Sequence, residues 1–350
     1  MQDRILKSHR QIEPAACSAD TVEELLKAGI KENTTKSYQA GIRHFQEVWG
    51  GALPASDSSV VSYLAAYAGQ LKTTTLANRL SAISRWHELQ GFYNPTRSQL
   101  VSQLMSGIRN KYPPVNKQAG ALSIEMLSHL VRWLDMTAAQ AKADDDFKTE
   151  LACRRDKALV LLGFWRAFRG DELCSLQVSD LQINKRKGMI IKLRRSKTDK
   201  ENRGTEYFVP ALAKLCPVTA CSDWLEDAGL SEGPVFRAIN RRGDVSSKAL
   251  RTNSLTPLIK GLLDKAGLES DSISSHSLRV GFATWADSQG WTIGMLKQYV
   301  GWKSTDNAVR YIRPVFNFGE FGLGSGGAQE LELASPPAAS LQDLSEDLDD

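Results

Sequence analysis

His276-Ser277-Leu278-Arg279-Val280-Gly281 places a histidine and an arginine three residues apart. On a helix that spacing puts both side chains on one face, so an imidazole and a guanidinium reach the same side. Gly301-Trp302 and then Tyr311 follow, read as two successive short helices separated by a stop at Gly301 and a cap at Ser304 or Thr305. Working backwards, Ser196-Lys197-Thr198 falls at the turn of a hairpin, and Arg169-Gly170-Asp171-Glu172 closes an apolar helix. Taken singly, each has an ordinary explanation: Trp302 and Tyr311 as packed aromatics, Arg169 as a surface ion pair, Lys197 as a solvated lysine. Their joint order and spacing are far more specific than any one of them.

The rest of the chain supplies the frame. From Thr21 to Lys111 the pattern is helical throughout. Tyr38, Ile42, Phe45 and Trp49 fall at helical spacing after a cap at Asn33 or Thr34, and Gly50-Gly51 stops that helix. Ser56 caps a helix carrying Val60, Val61, Leu64 and Tyr67. Another from about Thr74 aligns Leu76, Leu80, Ile83 and Trp86, and a last one covers roughly residues 97–109. Lys111-Tyr112-Pro113-Pro114 then breaks the pattern, because proline removes a helix donor and favours extended backbone. Beyond it, residues 123–136 and 155–168 read as helices. The only convincing β signal is Met189-Ile190-Ile191-Lys192-Leu193, a polar loop, and Tyr207-Phe208-Val209, with helix again to about Ile312.

These patterns predict a flexible N-terminus (1–20), a helical bundle (21–111), a linker (112–120), a mainly helical second domain with a small antiparallel sheet (121–321), and a tail (322–350). The fold class is mainly α (α+β). At 350 residues the chain is long enough for two buried cores.

Net charge is +4, but it is unevenly spread. Glu330, Glu332, Asp343, Glu346, Asp347, Asp349 and Asp350 lie in a terminal stretch without Lys or Arg, so the body is considerably more basic than the whole. The acidic, Gly-, Ser- and Pro-rich end reads as disordered, and the basic body suits a polyanion. No apolar run approaches the roughly 20 residues that span a bilayer, and the start does not read as a secretory signal. No membrane partner is expected, and a cytoplasmic location is. Cys17, Cys153, Cys174, Cys216 and Cys221 form no CxxC pair, so reduced thiols are expected and a zinc site is not.

Over roughly residues 20–315 the chain resembles the tyrosine recombinase (phage integrase) family, most like the Cre type of site-specific recombinase. Arg169 with Glu172 matches the first motif arginine and its acidic neighbour, Lys197 the hairpin lysine, and His276 with Arg279 the His-x-x-Arg box. Trp302 stands where most members have histidine and the Cre type has tryptophan. Tyr311 matches the nucleophile. The resemblance implies DNA cleavage and rejoining through a covalent 3′-phosphotyrosine, with strands exchanged between two double-stranded target sites in a homo-tetramer. It implies no cofactor and no metal. The same chemistry in a telomere resolvase or type IB topoisomerase, and a non-catalytic DNA-binding regulator, are the alternatives.

The chemistry accounts for the residue types. Attack on a phosphodiester concentrates charge on two non-bridging oxygens, which the permanently charged guanidiniums of Arg169 and Arg279 can clamp. Preorganised donors of this kind are worth about 3 kcal/mol each. Trp302 adds an indole N–H donor without titrating. His276 either donates to a phosphate oxygen or assists removal of the tyrosine proton; Lys197 suits an acid for the leaving 5′-hydroxyl. Glu172 suits orientation of its neighbours. Tyr311, with a reference pKa of about 10, needs the surrounding positive charge to attack. In the first domain, Lys36 and Arg43 on one helix and Lys72, Arg79 and Arg85 on or before another are the candidate DNA contacts, mostly to phosphate. Past the nucleophile, Phe316, Phe318 and Phe321 are apolar for a tail. In this family a short C-terminal helix often docks on a neighbouring protomer; here the interspersed glycines count against a well-formed exchanged helix and leave packing on its own domain as the alternative.

Overall fold

The computed structural model describes residues 32–114, 119–193, 205–302 and 305. They form two compact units divided between Lys117 and Gln118. Lys197, Tyr311, the first helix expected from Thr21, the flexible N-terminus, the Phe316–Leu323 segment and the acidic tail lie outside the described residues. Among those described, no helix is long and apolar enough to cross a membrane.

The first unit contains α1 (Glu32–Arg43), α2 (Asp57–Tyr67), α3 (Thr73–Gln90) and α4 (Gln99–Lys111). The helix already runs at Glu32, so Asn33 and Thr34 sit within the first turn instead of capping it. It continues past Arg43 as a π-turn over His44–Val48, which buries Phe45, and the chain leaves through Gly50 at φ +82. Ser56 caps α2 as its sequence predicts, accepting from the Ser59 N–H at 3.2 Å. The core gathers Phe45, Val60, Tyr63, Leu64, Leu76, Ile83, Val101, Met105 and Ile108. His87 replaces Trp86 on the inward face of α3: its Nε2 accepts from the Ala55 N–H at 2.9 Å, and its Nδ1 bonds the Ile83 carbonyl at 2.8 Å. Both ring nitrogens are satisfied, which is what lets a fully buried histidine sit there.

The second unit is built on α6 (Phe147–Trp165), flanked by α5 (Ile124–Ala143), α8 (Pro217–Asp227) and α10 (Ser277–Ser288). Leu159, Val160, Leu161 and Leu162 of α6 are all fully buried, so the second half of this helix is apolar on every side, as a helix buried in a core must be. It starts earlier than its sequence suggested and ends at Trp165 with Arg166 as its C-cap, because Ala167 turns left-handed at φ +52. Arg169 therefore does not close the apolar helix. It is the N-cap of a separate short helix, α7 (Gly170–Ser175).

A three-stranded antiparallel sheet follows, ordered β1 (Leu181–Asn184), β2 (Gly188–Leu193), β3 (Thr205–Pro210). The β2–β3 register pairs Ile191 with Tyr207 and Ile190 with Phe208. β1 alternates half-buried and exposed residues over only four positions, too short a pattern to separate from loop. The stretch after the sheet is not all helix. A second hairpin, β4 (Arg237–Ile239) and β5 (Val245–Ala249), turns at Gly243 with φ +92 before α9 (Thr252–Lys265). The last described helix, α11 (Ile293–Val300), ends at Gly301 with φ +71, so Trp302 lies beyond a helix and not on one. Cys153, Cys174 and Cys221 are buried free thiols, and burial pushes Cys221 up to about 12.

Candidate active site

Three separate segments of the second unit meet at one place. The α6–α7 connection delivers Arg169 and Glu172. The start of α10 delivers His276 and Arg279. The residues after α11 deliver Trp302.

Glu172 organises the first of these. Its Oε2 accepts from the Arg169 backbone N–H at 2.9 Å, satisfying a donor the helix start would leave orphaned. Its Oε1 accepts from Arg169 Nη1 at 2.6 Å. The same carboxylate lies 3.9 Å from Arg279 Nη1, so one buried acid faces both guanidiniums. Arg169 keeps 22% of its side chain open, which leaves donors for an incoming group.

Arg279 is buried to 1% exposure. Such a charge needs several good partners. Its Nη1 donates to the Ala167 carbonyl at 2.7 Å, and its Nη2 to the Val300 carbonyl at 3.3 Å. The left-handed Ala167, a conformation costing a non-glycine residue roughly 1–2 kcal/mol, brings the first of those carbonyls to the guanidinium. The Trp302 ring centre is 5.3 Å from the guanidinium carbon, and Trp302 is itself 6% exposed.

His276 is the N-cap of α10 and remains open to solvent. Crowding on its inner side, then the positive charges of Arg279 and Arg169, push its pKa below the usual histidine value. Both arginines act on the imidazole through their charge, behind the larger effect of burial. A neutral imidazole near pH 7 can accept or donate a proton.

Five of the seven sequence candidates, Arg169, Glu172, His276, Arg279 and Trp302, thus converge. Lys197 and Tyr311 fall outside the described residues. Strand β3, which follows Lys197 in sequence, comes up against the residue before Trp302: Tyr207 Oη lies 3.4 Å from where a Cβ on Gly301 would stand.

Sequence reasoning missed Arg166, Tyr207 and Tyr299. Arg166, 4% exposed, has its guanidinium carbon 3.9 Å from the Tyr207 ring centre and 4.4 Å from that of Tyr299. Its signal was an arginine inside an otherwise apolar run from Ala158 to Phe168.

In the first unit, α1 and α3 cross closely, because a Cβ on Gly41 would stand 2.8 Å from Ala82 Cβ. Lys36 and Arg43 are exposed on α1, Lys72 is exposed at the α3 N-cap, and Arg79 and Arg85 are half-buried on α3. Arg79 Nη1 donates to Tyr63 Oη at 3.4 Å, and that hydroxyl also lies 3.0 Å from His44 Nδ1. Burial first, and Arg79 second, lower the His44 pKa.

Two family models match this chain: the phage integrase family over residues 136–317 and the phage integrase N-terminal SAM-like domain over residues 22–89. An integrase/recombinase XerD homolog of Selenomonas ruminantium is 31% identical over 290 residues, covering 80% of this chain and 81% of that protein. Among solved structures, the XerH site-specific recombinase bound to difH in a pre-cleavage complex is similar at TM-score 0.55 and 18% identity, covering 85% of this chain and 81% of that one. A lambda integrase dimer bound to a COC′ core site is similar at TM-score 0.53 and 17% identity, covering 87% and 79%. These structural likenesses speak to the fold.

Proposed function

Because the chain belongs to the phage integrase family of tyrosine recombinases, DNA strand transferases, we infer that it is a site-specific recombinase that cuts and rejoins double-stranded DNA through Tyr311. The observation that carries this reading is the convergence of two arginines, a shared buried carboxylate, a histidine and a tryptophan from three segments.

In the step proposed, Tyr311 Oη attacks the phosphorus, a P–O(tyrosine) bond forms, and the P–O5′ bond breaks. The tyrosine proton passes to a base, the role proposed for His276, and Lys197 protonates the departing 5′-hydroxyl. Arg169 and Arg279 neutralise the non-bridging oxygens, with Trp302 as a further donor. The bond energy is kept in the 3′-phosphotyrosine, so a second 5′-hydroxyl can reverse the step on a partner strand without ATP. Exchange between two sites in a homo-tetramer follows from that reversal. Residues 21–111 are read as a DNA-binding domain joined by a linker (112–120) to the catalytic domain (121–321), acting in the cytoplasm. The XerH and lambda integrase structures, both bound to DNA, support a DNA target.

The test uses a pool of randomised duplexes, each with a single nick that lets the fragment beside the break diffuse away. Wild type is expected to become covalently attached to a subset of sequences, and Tyr311→Phe to none. Equal enrichment by both without any covalent product would mark the chain as a binding protein and overturn the reading. Adducts that relax plasmids but never exchange strands between two copies of the enriched duplex would point to a topoisomerase instead.

A further inference from the structure

We propose that Arg166 is a positioning residue for Arg279, acting through its stacking contact with Tyr299. Three relationships carry this. Arg166 immediately precedes Ala167, whose carbonyl accepts from Arg279 Nη1 at 2.7 Å. Tyr299 immediately precedes Val300, whose carbonyl accepts from Arg279 Nη2 at 3.3 Å. Between them, the Arg166 guanidinium carbon sits 4.4 Å from the Tyr299 ring centre. The contact between one pair of neighbours therefore sets the separation of the two carbonyls that seat the arginine.

The cage extends to the sheet. Tyr207 of β3 stacks on the same guanidinium at 3.9 Å, and its hydroxyl stands against Gly301, the residue before Trp302. Tyr299 Oη donates to the Trp165 carbonyl at 2.7 Å, which closes the link between α11 and the end of α6. Arg166 in turn is hydrogen-bonded to the Tyr299 side chain. Its Nε and Nη1 are buried without a hydrogen-bond partner. A cation held this way depends on the faces of its aromatic neighbours, so it is sensitive to where they stand. A merely structural role would be filled more cheaply by methionine or leucine, since an unsatisfied buried charge is costly. The charge and planarity of Arg166 are instead explained by the need to meet the faces of two tyrosine rings at once.

The inference rests on the reading of Arg279 as a clamp for a non-bridging phosphate oxygen. The experiment uses the enriched nicked duplex, unmodified and with a methylphosphonate at the cleaved position, which removes the charge the clamp neutralises. Arg166→Met is expected to slow covalent adduct formation at saturating DNA by about 10-fold or more, with DNA affinity changed by less than about 3-fold. On the methylphosphonate that deficit is expected to shrink to within about 3-fold, because a misplaced clamp matters less where there is less charge to neutralise. Arg166→Lys, which keeps the charge but loses the plane, is expected to fall between wild type and Arg166→Met, and it carries the test if Arg166→Met does not fold. An equal deficit on both substrates, or none on either, would overturn the proposal. Arg279→Ala is the control. If its own deficit is undiminished on the methylphosphonate, the clamp reading fails, whatever Arg166 does.

Discussion

The Glu172 carboxylate binds Arg169 twice, once at the backbone N–H and once at Nη1, at 2.9 and 2.6 Å. One acid therefore fixes both the start of α7 and the rotamer of the arginine beside it. Since the same carboxylate lies 3.9 Å from Arg279 Nη1, it also sets the charge balance between the two guanidiniums.

Glu172→Gln keeps the shape and removes the charge. Adduct formation is expected to fall by about 10-fold, and stability by roughly 1–2 kcal/mol, toward the low end for a hydrogen bond to a charged group because Arg169 is partly solvated. Single-turnover rates on the nicked duplex and urea melts check both. A variant with wild-type rates would remove Glu172 from the site.

The lowered pKa of His276 makes a pH prediction whose sign is fixed. The folded protein keeps the imidazole neutral below the ordinary titration point of 6.5, while the unfolded chain protonates there. Stability from this group is complete above 6.5 and declines as pH falls from there through the depressed folded value. For activity, the second-order rate of adduct formation reports the free enzyme, so it should stay level through 6.5 and bend only at lower pH. His276→Gln should lose that bend; an unchanged profile would assign it to another group.

Gly281 is where α10 passes the segment leading into α5. A Cβ there would stand 2.0 Å from the Leu122 carbonyl oxygen and 3.0 Å from the Phe164 ring, so Gly281→Ala must displace backbone. A loss of about 1–3 kcal/mol is expected from overpacking, read as a lower urea midpoint. Because Arg279 sits two residues earlier, activity should fall even under conditions where the variant is fully folded.

In the first unit, Lys36, Arg43, Lys72, Arg79 and Arg85 are tested by binding at several salt concentrations. Each alanine variant that removes a phosphate contact should weaken binding and reduce the steepness of the log K against log salt plot by about 1. Arg79 offers a finer comparison, since Tyr63 Oη accepts its Nη1. Tyr63→Phe should weaken binding less than Arg79→Ala; the reverse order would place the recognition with Tyr63 and not the arginine.

Much of this protein was legible in order and spacing. Glu172 three residues after Arg169, Arg279 three after His276, and Ser56 at the head of an apolar period are local relationships, and each holds in the structure as a bond, an effect of charge or a cap. Local pattern failed where an element was too short for a period to show, as in β1, β4 and β5, or where an end was decided by one backbone angle. Ala167 and Gly301 turn left-handed at φ +52 and +71, and so Arg169 and Trp302 stand outside the helices that their sequence neighbourhoods suggested.

Sequence by itself determined the class of chemistry, because residue type and spacing limit which charges can surround one phosphate. Only tertiary structure decided how those charges are held. Arg279 takes its two carbonyls from Ala167 and Val300, which are 112 residues before it and 21 after it, and the buried Arg166 lies between the segments that supply them. A buried cation must be met by partners from wherever the fold can deliver them, and no local pattern records that.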